Sequence, residues 1–439
     1  MNVIFFSIVA IAFVVGAYRQ FGWDGTGGTA PIDALGLAMI DTAGSSVTLA
    51  LGLVGVMTLF LGLMKVGERA GLLTVIAKLL RPLMTRLFPS VPADHPAMGA
   101  MIMNIAANVL GLGNAATPFG IRAMEHLNRL NPAKGTASDA MILFLAINTS
   151  SVTLLPTGVI AIRAAAGSMD PAGIVPTTLF ATLCSTAAAI LMAKFLARRC
   201  APAVAVDSDD DADEAANGAA DEDREGASQG QEELAPAPSA GYPAWVSLLA
   251  LGVVVALVPL TIVYGRVLAP WIVPGLMIGF LGLGMWRRVP VYEAFIDGAK
   301  DGFNVALRII PYLVAILVAV GMFRTSGAMD LLIQPLGTLT QWIGMPPEAL
   351  PMALLRPLSG SGAYGIMASI IQDPAIGPDS YAGYLVSTIQ GSTETTFYVL
   401  AVYFGAVRIR RIRYALGAAL TADFVGVAAA VFIVSLLYG

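Results

Sequence analysis

The chain has 439 residues, of which 57% are hydrophobic and 12% are charged. Soluble domains carry about 25% charged residues, so this composition excludes an ordinary soluble protein and indicates a membrane protein. The net charge of −4 conceals an acidic stretch, because twelve acidic residues and one arginine fall between Asp207 and Glu233. The two cysteines and two histidines show no metal-ligand spacing, and we expect neither a metal nor a cofactor.

Apolar runs divide the first half of the chain into elements that suit a bilayer. The run 98–112 is too short to cross, and it passes into the Gly- and Pro-containing stretch 111–118, which is typical of a broken or re-entrant helix. In order, we predict a retained first span at 3–18, an interfacial helix at 32–45, a span at 47–64, a basic amphipathic helix at 72–88, the broken segment at 98–118, a polar helix at 119–130, and spans at 140–162 and 175–196.

An acidic stretch separates the two halves of the chain. Residues 201–241 are mostly Ala, Asp, Glu, Gly, Pro and Ser, which cannot bury a core, so we predict a disordered linker. The second half repeats the pattern of the first. Its predicted elements are spans at 245–264 and 271–286, an amphipathic stretch at 291–303, a span at 305–323, an interfacial helix at 329–343, a segment at 350–371 broken around 356–362, and spans at 381–407 and 414–437.

Two polar patches lie inside apolar spans, 242 residues apart. Asn148–Thr153 interrupts the span 140–162, and Gln390–Thr396 interrupts the span 381–407. Polar and charged groups at membrane depth are costly, and by default they mark a functional site. The shared order of elements and patches predicts an all-α polytopic protein of two units, 1–200 and 242–439, joined by the linker 201–241.

Basic loop residues set the predicted orientation of both units, because such residues favour the cytoplasm. Lys194, Arg198 and Arg199 place the linker inside, and the arginines at 408–413 then also fall inside. The N-terminus becomes cytoplasmic, with the first broken segment on the inner side and the second on the outer side. We therefore predict an inverted-topology repeat, which is typical of transporters with a midplane site; the alternative is the weak self-similarity of any apolar helical protein.

Four motifs resemble a known family. NVLGLGNAATP at 108–118 and NTSS at 148–151 resemble spore maturation protein A, and RPLSGSGA at 356–363 and QGSTETTFY at 390–398 resemble spore maturation protein B. Both belong to the family with the nucleoside recognition, or gate, domain, which is also found in concentrative nucleoside transporters and in ferrous iron transporter B. The resemblance implies an A-like unit fused to a B-like unit and a role in moving a solute. The chain has no P-loop motif, which argues against NTP-driven iron transport.

The polar patches and the broken segments supply the candidate binding groups. Glu394 is the sharpest candidate, since a carboxylate at this depth can bind a cation, carry a proton or accept hydrogen bonds from a substrate. The alternative is a structural pairing of Glu394 with Arg356 or Arg308, while Ser and Thr hydroxyls can bond to their own helix. The candidate substrate-binding residues are Glu394, Gln390, Ser392, Thr393, Thr395, Asn148, Ser150, Ser151, Thr153, Asn108, Asn114, Arg356, Ser359 and Ser361.

The leading functional hypothesis is a multi-pass transporter or permease-like protein of the bacterial inner membrane, acting on a small polar solute such as a nucleoside-like metabolite or an ion. The alternative is a non-transporting membrane scaffold or partner protein in envelope or spore-maturation-like processes. No motif within the spans indicates an enzyme. The expected partners are the lipid bilayer and the solute, not nucleic acid, and a homo-oligomer is compatible with the sequence.

Overall fold

The computed structural model describes residues 2–25, 28–111, 113–200, 241–329, 331, 340 and 342–439, and over these ranges the regular structure is helical. The predicted linker at 201–241 lies outside them except for Gly241, as does most of the predicted interfacial helix at 329–343. The helices are α1 (Asn2–Phe21), α2 (Pro31–Arg69), α3 (Leu72–Leu87), α4 (Pro96–Val109), α5 (Gly113–Leu130), α6 (Asp139–Ser150), α7 (Thr157–Ala165), α8 (Ile174–Arg199), α9 (Ala244–Trp286), α10 (Val291–Thr325), α11 (Leu350–Leu355), α12 (Gly360–Gln372), α13 (Tyr381–Ser392), α14 (Thr396–Ala406) and α15 (Ala415–Tyr438).

Three long helices replace pairs of shorter predicted elements. The interfacial helix at 32–45 and the span at 47–64 form the single helix α2, and α9 and α10 each merge two predicted elements in the same way. In α2, the hydroxyls of Ser45 and Ser46 bond back to the carbonyl of Thr42, at 3.0 and 2.5 Å. Serine therefore satisfies its polar group without leaving the helix, and the predicted boundary near residue 46 was wrong.

Apolar length marks the membrane-crossing part of the fold. Among the described residues, three segments are long and apolar enough to cross a bilayer by length and composition: Pro31–Arg69, Pro171–Arg199 and Ala415–Tyr438. The last two lie side by side, since α15 packs on α8. The protein is therefore an all-α membrane protein.

Matched helices of the two halves run antiparallel. The C-terminal end of α7 meets the N-terminal end of α13, where Arg163 donates to the carbonyl of Pro378 at 2.6 Å. At the opposite end, the backbone N–H groups of Arg410 and Arg411 both donate to the carbonyl of Gly135, just before α6. The pair α6–α7 thus runs opposite to the pair α13–α14.

Side chains from both halves share the hydrophobic core. One buried cluster joins Leu53 and Phe60 of α2 to Ile366 of α12 and Val434 of α15. A second cluster, elsewhere in the bundle, joins α4 and α6 to α14 and α15 through residues such as Phe144. The halves are interlocked, so their polar patches are held at a fixed separation.

Candidate functional site

Both helices that carry a polar patch are broken at the patch. The predicted continuous spans at 140–162 and 381–407 were wrong in this respect, because α6 ends at Ser150 and α7 begins at Thr157, and α13 ends at Ser392 and α14 begins at Thr396. Pro156 lacks an N–H group and therefore cannot continue the ladder of helical hydrogen bonds. In the second patch, consecutive Ser and Thr residues compete locally for the backbone. Each break leaves backbone groups that have no partner within their own helix.

Two helical hairpins press their tips against these breaks. The first hairpin is α4–α5, and the carbonyl of Val109 at its tip accepts from the Leu154 N–H at 3.0 Å. The second hairpin is α11–α12, and the carbonyl of Pro357 accepts from the Phe397 N–H at 3.1 Å. The same backbone contact therefore occurs once in each half.

Gly111 allows the first tip to approach its break this closely. Its φ is +77°, and a Cβ atom there would lie 2.7 Å from the carbonyl oxygen of Leu155. Both facts require glycine. The break in this hairpin is shorter than the predicted 111–118, because α5 already begins at Gly113 and contains Pro118.

The two breaks also contact each other directly. The N–H of Glu394 in the second break donates to the carbonyl of Thr149, at the end of α6, over 2.8 Å. The next two carbonyls belong to Ser150, the last residue of α6, and Ser151, which follows it. Both accept from the hydroxyl of Thr182 on α8, at 3.0 and 2.6 Å. The polar patches of the two halves therefore meet at one point inside the protein.

A chain of amide and phenol groups extends from this point into the first hairpin. The Nδ2 group of Asn108 donates to Oδ1 of Asn148 at 2.9 Å, and the Tyr403 hydroxyl donates to the same oxygen at 3.3 Å. Asn104 in turn donates to the Tyr403 oxygen at 3.1 Å. A Cβ atom at Gly120 would lie 2.1 Å from that phenol oxygen, so Gly120 provides the space for it.

Sequence reasoning missed Tyr403, although this residue of the second half completes a network of the first. No local pattern marks it, because its role depends on the contact between the halves. The one local signal is Gly120 within the polar helix α5, because a glycine inside a helix indicates that another group packs closely against it.

Arg356 anchors the second break. It is 4% exposed, donates to the hydroxyl of Thr395 at 3.0 Å and also donates to the carbonyl of Thr393. Its guanidinium lies 3.8 Å from the carboxylate of Glu394, whose side chain is 51% exposed. An ion pair at this distance and exposure is weak. The predicted pairing of Glu394 with Arg356 therefore exists, but it leaves the carboxylate accessible; the side chain of Arg308, the other predicted partner, lies outside the described side chains.

Several hydroxyls among the candidate binding residues donate to carbonyls of their own helix, which was the predicted alternative to binding a solute. Thr149 and Ser150 donate to the carbonyl of Ala146, and Ser392 donates to the carbonyl of Ile389. Ser359 caps α12 by accepting from the Gly362 N–H at 3.0 Å. These hydroxyls shape the breaks and hairpin tips, and they offer a bound solute less than free hydroxyls would.

The remaining predicted residues occupy varied positions. Gln390 is buried, and neither its amide nitrogen nor its amide oxygen makes a hydrogen bond of ordinary geometry within the described residues. Thr153 is half-buried in the first break, and Ser361 is exposed at the second tip. The side chain of Asn114 lies outside the described side chains.

The site thus combines a buried amide that makes no hydrogen bond of ordinary geometry among the described residues with an accessible carboxylate and two broken helices. Buried amide groups require hydrogen-bond partners, and the ends of half-helices attract ions and dipoles. Within the described ranges, no group of three or more His, Cys, Asp or Glu side chains is placed to hold a metal ion. The arrangement is suited to hydrogen bonding of a small polar molecule or ion.

The described helices form the all-α bundle of a polytopic membrane protein, in which two hairpins and two broken helices meet. A family model described as nucleoside recognition, or Gate, matches residues 50–166 and 306–410 of this chain. The chain belongs to the nucleoside recognition (Gate) family. Each match contains one hairpin and one broken helix.

Two curated proteins of Bacillus subtilis (strain 168) are similar to the chain. Spore maturation protein B is 47% identical over 167 residues, which cover 38% of this chain and 93% of that protein. Spore maturation protein A is 47% identical over 158 residues, which cover 36% of this chain and 81% of that protein. The chain therefore resembles a fusion of the two.

Two solved structures are similar in fold. A variant of CNTnw in an outward-facing state is 15% identical with a TM-score of 0.46, and the comparison covers 100% of this chain and 87% of that chain. Another CNTnw variant, in the state titled intermediate 2, is 14% identical with a TM-score of 0.38, covering 99% and 83%.

Proposed function

We propose that the protein is a transporter of the bacterial inner membrane that moves a small polar solute, of nucleoside-like or ionic character, bound where the two breaks meet. The contact between the Glu394 N–H and the Thr149 carbonyl carries this proposal. It brings the polar patches of both halves to one point, flanked by both hairpin tips. A solute bound there would touch elements of both halves.

The chemistry around the contact supports a polar solute. The buried Gln390 amide interacts with the Tyr364 hydroxyl but makes no hydrogen bond of ordinary geometry among the described residues. The accessible Glu394 carboxylate can accept hydrogen bonds or bind a cation. Asn108 and Asn148 add amide groups from the first half. The expectation of a non-enzymatic role is part of the same proposal, since the site offers binding groups rather than a nucleophile activated by a base.

The opposed helices support an inverted repeat in the membrane. We propose that the end of the protein carrying Gly135 and the arginines at 408–413 faces the cytoplasm, as the basic residues indicate. The end carrying Arg163 and Asp379 then faces outward. Such an arrangement lets one half rock against the other around a fixed site.

Cysteine labelling checks this orientation. In a background with Cys184 and Cys200 replaced, we expect Arg129→Cys to react with an impermeant maleimide only from the cytoplasmic side. Thr325→Cys should react only from the opposite side, and both native residues are exposed, so access does not limit the reaction. Labelling of both cysteines from one side would overturn the inverted arrangement.

Glu394→Gln tests the transport proposal, because it removes the charge and keeps the shape. In proteoliposomes supplied with radiolabelled nucleosides or alkali cations, we expect the substitution to abolish the flux measured for the parent protein. Glu293→Gln, an exposed carboxylate at the start of α10, is the matched control and should leave the flux intact. If the parent shows no flux and Glu394→Gln changes only the melting temperature, a scaffold role replaces transport.

A further inference from the structure

Asp423 is a buried carboxylate that is not one of the proposed solute-binding residues. It lies roughly 12 Å from the start of α15, at 1.5 Å per residue, and is 4% exposed. Its Oδ2 atom accepts from the hydroxyl of Thr396 at 2.6 Å. Its Oδ1 atom is buried and has no hydrogen-bond partner among the described residues.

The helices around Asp423 offer it almost no charge. α15 packs on α6, α8, α13 and α14. The charged residue of α6 is Asp139 at its start, and this carboxylate accepts a hydrogen bond from Arg413 at 2.7 Å. The charged residues of α8, which are Lys194, Arg198 and Arg199, lie in its last turns. α13 and α14 carry no charged residue. The titratable groups of these elements are Asp139, Cys184, Lys194, Arg198, Arg199, Tyr381, Tyr384, Tyr398 and Tyr403.

Arg356, from the break between α11 and α12, is bonded to the residue next to the partner of Asp423, because it donates to Thr395 at 3.0 Å while Asp423 accepts from Thr396. Within the described residues, however, the two form no ion pair within 4.0 Å, and the nearest carboxylate contact of Arg356 is Glu394, at 3.8 Å. The Nε atom of Arg356 is buried and has no hydrogen-bond partner in the part of the chain that the structure describes. Arg356 and Asp423 are thus bonded to neighbouring residues of the second break, Thr395 and Thr396.

We propose that Asp423 is a proton-binding site, and that its protonation decides whether Arg356 is held at Glu394 or drawn towards Asp423. An ionised carboxylate with an unpaired oxygen in an apolar interior is unfavourable, and either a proton or a cation relieves it. With Asp423 protonated, Arg356 stays on the second break beside Glu394. With Asp423 ionised, the buried negative charge attracts Arg356 and loosens its contacts with Thr393 and Thr395.

The coupling of this proton to a solute rests on the proposed transport function, whereas the proton site itself does not. Loosening the second break alters the surroundings of Glu394, which is where the solute would bind. The ligand of this second site is a proton, so the solute and the proton would be linked through Arg356 and the second break.

Infrared spectroscopy of the purified protein in lipid tests the proton site without any solute. As the pH falls from mildly alkaline to mildly acidic, we expect the carbonyl band of protonated carboxylic acids to grow in the parent, and the component of that band that comes from Asp423 to be lost in Asp423→Asn. Asp301→Asn, at an exposed position of α10, should keep the band. A difference spectrum between parent and Asp423→Asn that contains no acid carbonyl band at any pH would overturn the proposal.

Chemical labelling of the parent protein covers the case in which Asp423→Asn does not fold. Dicyclohexylcarbodiimide reacts with protonated carboxyl groups in apolar surroundings, and mass spectrometry locates the adduct. We expect labelling of Asp423 that increases as the pH is lowered; absence of labelling at Asp423 at acidic pH would contradict the proposal. Solute flux in the parent without either signal would retain transport and remove the proton site.

Discussion

Replacing Arg163 by methionine is expected to destabilise the protein by about 3–5 kcal/mol, because the substitution removes a fully buried charge and leaves its hydrogen-bond acceptors without a donor. Arg163 is 0% exposed and forms an ion pair of 2.9 Å with Asp379, whose side chain is 26% exposed. It also donates to the carbonyls of Pro378 and Asp170 and to the hydroxyls of Ser168 and Ser387. The substitution removes all these bonds where α7 meets the start of α13.

Arg324→Met is the matched control for this experiment. Arg324 forms a similarly short ion pair with Asp373, at 2.7 Å, but the two side chains are 39% and 22% exposed. The two pairs differ in the arginine, since Arg324 is partly exposed whereas Arg163 is fully buried. An ion pair whose arginine is open to solvent contributes about 0–1 kcal/mol, so the control should change stability little. Denaturation curves in the same detergent measure both, and equal losses for the two variants would show that Arg163 does not join the halves.

Arg356→Ala is expected to cost about 3 kcal/mol, since hydrogen bonds from a charged group contribute about 1.5–3 kcal/mol each. The substitution leaves the carbonyl of Thr393 and the hydroxyl of Thr395 without their donor. It also frees the Glu394 carboxylate. Because Arg356 shapes the second break, we expect any solute flux to be lost together with the stability.

Arg129→Ala separates this effect from the loss of any one positive charge. Arg129 is exposed on α5, and surface substitutions usually change stability by less than about 0.5 kcal/mol. Thermal denaturation provides the comparison. A stability loss at Arg356 no larger than that at Arg129 would mean that Arg356 does not hold the second break.

Glycine, proline and hydroxyl residues allowed the helix breaks and hairpin tips around the candidate site to be predicted from the sequence. The Gly and Pro residues at 111–118 and 356–362 predicted interrupted segments, and the structure has hairpin tips there. The patches at 148–153 and 390–396 predicted polar groups within apolar spans, and both lie at helix breaks. These features are local, since they follow from backbone restrictions and from the cost of polar groups in an apolar environment.

Other features depend on contacts between distant parts of the chain. The burial of Arg163 was not predicted from the sequence, because it depends on Asp379 and other residues that are distant in the chain and surround the guanidinium. Tyr403 is unremarkable in its own helix and gains its role only from Asn104 and Asn148. The length of α2 was also missed, because serine within a helix resembles a boundary when read from the sequence alone.

A screen for solutes that stabilise the purified protein tests the central claim most directly. A ligand at about 100 times its Kd adds about 2.7 kcal/mol to the stability of the folded state, so its binding raises the melting temperature. From a panel of nucleosides, nucleobases, amino acids, sugars and alkali cations, we expect at least one solute to raise the melting temperature of the parent. The rise should disappear in both Asn148→Ala and Glu394→Gln, because the site takes groups from both halves. A panel without effect on the parent, or a rise that persists in both variants, would contradict a solute site where the two breaks meet.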